Sequence, residues 1–84
     1  MSEAFARRLI DVIADTLVRF SDYQTLSGVR DMLDRLAYQG PPEVADAVDV
    51  MASDEAVDKS ARRQAGETSD ILRFRGDLRQ AIVS

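Results

Sequence analysis

The chain is expected to fold as an all-α bundle of three to four helices joined by short turns. Three observations predict this. Apolar residues recur at spacings of three and four in several separate stretches. Capping and helix-breaking residues stand between those stretches. No run alternates apolar and polar residues as a half-buried strand does. At 84 residues and 9.3 kDa the chain is expected to bury about 63% of its extended surface, which is enough for one core and too little for two. Residues 1–84 are therefore read as one helical domain.

The first helix is expected near residues 3–20. Phe5, Leu9, Val12, Ile13, Leu17 and Phe20 form its stripe, and Ile10 and Val18 widen it. Ser2 suits the N-cap, and Glu3 suits the positive end of the helix dipole. Ser21-Asp22 then separates a second helix, near 22–39, whose Leu26, Val29, Leu33 and Leu36 share a face, with Met32 beside them. Gly28 interrupts this pattern at a cost of about 1 kcal/mol. Two starts follow for the second helix, one capped at Ser21 or Asp22 and one at Ser27.

Gly40-Pro41-Pro42 is the strongest break in the chain. Gly40 is expected to close the second helix in the left-handed conformation, and Pro42 to open the next. The third helix is expected near 42–64, with Val44, Ala47, Val48 and Met51 as a narrow stripe. Ser53-Asp54-Glu55 either continues it or caps another. From Ser53 to Ser69 only Ala56, Val57, Ala61 and Ala65 are apolar, so this stretch is expected to face solvent and to be mobile or stabilised by a partner. Gly66-Glu67-Thr68-Ser69 reads as a further break before a last helix near 69–83. There Ile71, Phe74, Leu78 and Ile82 lie on one face, with Leu72 and Ala81 flanking.

Composition narrows the chemistry. The chain has no cysteine and no histidine, which excludes disulfides, thiolate or imidazole metal sites, and Cys- or Ser–His nucleophile pairs. Asp46 and Asp49, and Asp54 and Asp58, share helix faces in pairs, but small polar surroundings give no reason for their pKa values to separate. The glycines are scattered and form no phosphate loop. Arg75-Gly76-Asp77 matches a cell-adhesion tripeptide, yet it falls within a helical pattern and not in an exposed loop. No enzymatic activity, cofactor or metal is expected.

Charge is distributed unevenly. Residues 1–58 hold twelve acids and five bases, a net of −7, whereas residues 59–84 hold six bases and three acids, a net of +3. Ten of the eleven bases are arginine, the residue suited to bidentate contacts with carboxylate or phosphate. The last third therefore supports a nucleic-acid-binding regulator as one reading, against an overall pI of about 4.6. The competing reading pairs this basic segment with the acidic window Glu43–Asp58, within the chain or across a dimer. A third lets that acidic window imitate phosphates in another protein's basic groove, although the negative excess is small for such a mimic.

The favoured functional expectation is a non-catalytic protein-binding module: an adaptor, assembly factor or inhibitor that acts sterically, docked on a larger partner or paired as a homodimer. A short acidic helical chain also suits an inhibitor carried by a phage or mobile element. Aromatic residues and arginine are enriched at interfaces. The candidate protein-binding residues are thus Tyr23, Tyr38, Asp46, Asp49, Arg62, Arg63, Arg73, Arg75 and Arg79. A cytoplasmic location without membrane contact is expected, because the uncharged runs are far shorter than the roughly 20 residues of a spanning helix.

Overall fold

In the computed structural model, which describes residues 1–83, four α-helices and one 3₁₀ turn form the bundle: α1 (Glu3–Arg19), α2 (Tyr23–Gln39), the turn Pro42–Val44, α3 (Ala45–Ala52) and α4 (Lys59–Val83). The fold class is the one expected. The boundaries of the second half are not.

Ser2 caps α1 by accepting the Phe5 N–H at 3.1 Å. Asp22, and not Ser27, caps α2; it accepts the Thr25 N–H at 3.0 Å and the Thr25 hydroxyl at 2.8 Å. Gly28 accordingly stays inside the helix. Gly40 closes α2 in extended backbone (φ −76°, ψ 157°), not in the left-handed region. The reason is Pro41, whose ring excludes the helical region for the residue before it and so ends the helix without a positive φ. Pro42 stands at the first position of the 3₁₀ turn, as its fixed φ favours.

The expected third helix over 42–64 divides. α3 ends at Ala52, and residues 53–58 form a connection in which Asp54 accepts the Ala56 N–H at 2.9 Å. Asp58 then caps α4 by accepting the N–H groups of Ser60 at 2.9 Å and Ala61 at 3.4 Å. Ser53-Asp54-Glu55 thus neither continues α3 nor caps α4.

α4 runs unbroken through Gly66-Glu67-Thr68-Ser69, where a break was expected. Gly66 has no positive φ, and Thr68 and Ser69 spend their hydroxyls inside the bundle and cap nothing. The stretch expected to face solvent is partly core: Val57, Ala61, Ala65, Thr68 and Ser69 are all buried. Their small side chains let α4 lie close to its neighbours, so thin apolar content here marks tight packing and not exposure.

Paired contacts give the helix directions. Gln64 to Asp34, Thr68 to Leu33 and Arg75 to Ala37 run α4 parallel to α2. Ser69 and Arg73 to Asp49, and Arg79 to Glu43, run it antiparallel to α3. α1 closes the opposite side against α3, the 3₁₀ turn and α2. Ile10, Ile13 and Leu17 of α1, Val29, Leu33 and Leu36 of α2, Val44, Val48 and Met51, and Leu72 of α4 meet in one continuous core.

The last turns of α4 lie outside that core. The body measures 44 × 21 × 18 Å, and α4 alone, at 25 residues, is about 37 Å long. Of the face expected to be core, Phe74, Leu78 and Ile82 are exposed, whereas flanking Leu72 is fully buried. On α1 likewise Phe5, Val12, Val18 and Phe20 are exposed, and Ala6 takes a core place beside Ile10, Ile13 and Leu17. No helix among the described residues is long and apolar enough to cross a membrane.

Candidate protein-binding surface

Three arginines of α4, Arg73, Arg75 and Arg79, are held by the body of the protein. Arg73 forms an ion pair and hydrogen bonds with Asp49, whose carboxylate also accepts from the Ser69 hydroxyl. Hydrogen bonds from Arg73 and then Ser69 hold the Asp49 carboxyl below its ordinary value, and the same pairing raises Arg73. Arg79 pairs with Glu43 across the 3₁₀ turn, and that hydrogen bond lowers the Glu43 carboxyl. Arg75 does a different job. Its Nη1 donates to the carbonyls of Ala37 at 2.8 Å and Gly40 at 2.7 Å, capping the C-terminus of α2, where those oxygens have no partner within the helix.

Asp46 pairs with Arg7 of α1 at 3.6 Å, and Arg7 also donates to the Glu43 carbonyl at 3.3 Å. Glu43, Asp46 and Asp49 of the acidic window are therefore paired from both sides, by α1 and by α4. Of the three sequence readings of the charge asymmetry, pairing within the chain is the one these contacts match. Arg63 makes a loose i,i+4 pair with Glu67 at 3.9 Å. The Nε of Arg62 is buried without a hydrogen-bond partner, near the Asp58 charge. Asp58 is itself lowered, chiefly by the Ser60 hydroxyl, as Asp22 is by the Thr25 hydroxyl.

The nine candidate residues do not converge. Asp49 and Arg73 meet each other, and Asp46, Arg75 and Arg79 each meet a body residue outside the candidate set. Tyr23 and Tyr38 are both exposed, but they stand at opposite ends of α2, about 22 Å apart along its axis. Arg75-Gly76-Asp77 lies within α4, with Gly76 against Pro42.

The candidates read from the sequence include no Phe and no aliphatic residue, and so leave out the exposed apolar surface. Phe74, Leu78 and Ile82 stand at i, i+4 and i+8 on the outer face of α4, exposed by 62%, 48% and 84%. Phe5 and Val12 form a second exposed apolar strip on α1, beside half-buried Leu9. The periodicity of both stripes is visible in the sequence. Nothing in it says that the bundle ends before they are covered.

A cleft between α2 and α4, lined by Leu26, Val29, Leu33 and Ala61 with Tyr23 at its edge, has a volume of about 200 Å³. Comparison of the chain with protein-family models, with curated proteins and with solved structures finds no match.

Proposed function

We propose that this protein is a non-catalytic protein-binding module, an adaptor, assembly factor or inhibitor that acts by covering or bridging a partner's surface. One observation carries the reading. Large apolar side chains lie exposed in rows on α1 and α4 although the core beneath them is already filled. Such rows on a small protein are the usual mark of an interaction face. Charged residues at their margins give the orientation and partner selection that apolar contact lacks.

The alternative, a nucleic-acid-binding regulator, would rest on Arg62 and Arg63, which no ion pair among the described residues ties to another helix. Arg73, Arg75 and Arg79 are engaged with Asp49, with the end of α2 and with Glu43, so a phosphate backbone would have to displace contacts that hold the bundle together.

The test is capture of partners by the tagged full chain from its host lysate, in nuclease-treated and untreated halves. The proposal expects a protein partner recovered equally from both, and lost with Phe5→Ser and Val12→Ser or with Phe74→Ser and Leu78→Ser. Recovery that disappears on nuclease treatment overturns it in favour of the nucleic-acid reading.

A further inference from the structure

We propose that the distal face of α4, Phe74, Leu78 and Ile82, is the contact between two copies of this chain, so that the protein works as a homodimer joined through the ends of its longest helix. The first argument is mechanical. Gly76 lies against Pro42, and α4 then continues for seven residues, about 10 Å, past that point. The Arg79–Glu43 pair ties one side of this extension to the body. The flank beside it carries Leu78 and Ile82 in water. Two turns of helix are marginal without packing, and the amphipathic pattern here supplies a face with nothing of its own chain to pack on.

The second argument is area. Phe74, Leu78 and Ile82 together expose roughly 400 Å² of side chain. With half-buried Ile71, exposed Ala81 and the aliphatic stems at the margin, symmetric pairing can bury up to about 1,000 Å² over both copies, the size of a weak, concentration-dependent dimer. Ile71, Phe74, Leu78 and Ala81 also follow the three-four spacing of a helix–helix seam. A second copy brings the matching stripe by symmetry, residue for residue, whereas a foreign partner would have to supply its own.

The third argument is charge. The first 58 residues carry a net of −7, so copies repel over most of their surface. At the end of α4, Arg73, Arg75 and Arg79 stand against Asp70, Asp77 and the paired Asp49 and Glu43, a local net of −1, so little charge opposes a second copy there.

Sedimentation equilibrium of the full chain across a concentration series reaching about 500 µM tests the inference. The mass should rise from 9.3 kDa toward twice that value. Leu78→Asp should weaken association about tenfold or more, and Val50→Asp on the exposed face of α3 should leave it unchanged. Far-UV circular dichroism of each variant at low concentration checks that helicity is kept; if Leu78→Asp loses helix, Ile82→Ser replaces it. A wild-type chain that stays at 9.3 kDa throughout, or a folded Leu78→Asp chain that associates like wild type, overturns the inference. Either result leaves the protein-binding proposal standing, because that rests on capture of a different protein.

Discussion

Gly66→Ala separates a continuous α4 from a helix that begins near residue 69. Gly66 sits eight residues into α4, with no positive φ, and a methyl group built on it meets nothing within 4 Å. In a helix interior with that space, replacing glycine by alanine gains about 0.5–1 kcal/mol by restricting the unfolded chain. For a chain of this size each 1 kcal/mol is worth about 4–8 °C in Tm, so thermal denaturation followed at 222 nm should show a rise of about 3–6 °C. If Gly66 instead closed a preceding helix in the left-handed region, the same substitution would cost about 1–2 kcal/mol and Tm would fall. A fall in Tm refutes the continuous helix. Two other glycines serve as controls of opposite character. At Gly40 the added carbon falls 2.6 Å from the Leu36 carbonyl oxygen, closer than real contacts allow, so Gly40→Ala must displace the end of α2 and lower Tm. At Gly76 it falls 3.1 Å from Cβ of Pro42, so the helical gain is offset by pressure on the 3₁₀ turn and the net effect should be smaller than at Gly66.

Leu72→Ala should cost about 2–5 kcal/mol in urea denaturation, a large share of the roughly 4–13 kcal/mol expected for a domain this size, while Phe74→Ala at low protein concentration should change stability by about 0.5 kcal/mol or less. Equal losses at the two positions would contradict the burial pattern of α4. Arg75→Ala should destabilise by about 1–2 kcal/mol, since two carbonyls at the end of α2 lose a charged donor, and Arg75→Lys should recover only part of that loss because a single ammonium replaces a planar fork. Acid should weaken the fold in a defined window. Glu43 and Asp49 have lowered folded pKa values, so as pH falls the unfolded chain takes up protons first, around their ordinary 4.5 and 3.8, and the stability they contribute drains away until the folded values are passed. Arg73→Gln with Arg79→Gln should flatten Tm between pH 5 and pH 3 relative to wild type; an unchanged slope would show that these pairs do not set the acid response.

The first half of the fold is legible because its signals are local. Ser2 and Asp22 announce α1 and α2 through their own side chains, and Pro41 stops α2 through a steric clash with its own neighbour. The second half misleads because its decisive interactions are distant. Thr68 and Ser69 have the chemistry of capping residues, but their hydroxyls find better acceptors in the Leu33 carbonyl and the Asp49 carboxylate, 35 and 20 residues away. With those bonds made inside a helix, nothing remains to favour a turn. Gly66 is tolerated there because the packing of Ala61, Ala65 and Leu72 on either side outweighs its propensity cost. The charge asymmetry was legible as a pattern, and its resolution into Arg73–Asp49 and Arg79–Glu43 needed only the antiparallel placement of α3 and α4. The role of Arg75 was not legible, since no sequence spacing marks a guanidinium that caps a helix 35 residues upstream.

The two halves of α4 also show what an amphipathic pattern does and does not encode. Periodicity states that a face avoids water; it does not state which molecule removes the water. From Ala61 to Leu72 the buried positions are mostly small, and they are covered by α2 and α3. From Phe74 to Ile82 the apolar positions are large, evenly spaced and uncovered. A helix built only to complete this bundle would end near Gly76, where contact with Pro42 closes the body. The residues beyond it form one end of α4 that presents bulk at helical spacing and meets no core. Bulk of that kind increases association between surfaces and adds nothing to the folding of the monomer. The size contrast along one helix therefore places its first half in the core, and, if the second half serves binding as proposed, substitutions in the two halves should separate stability from association.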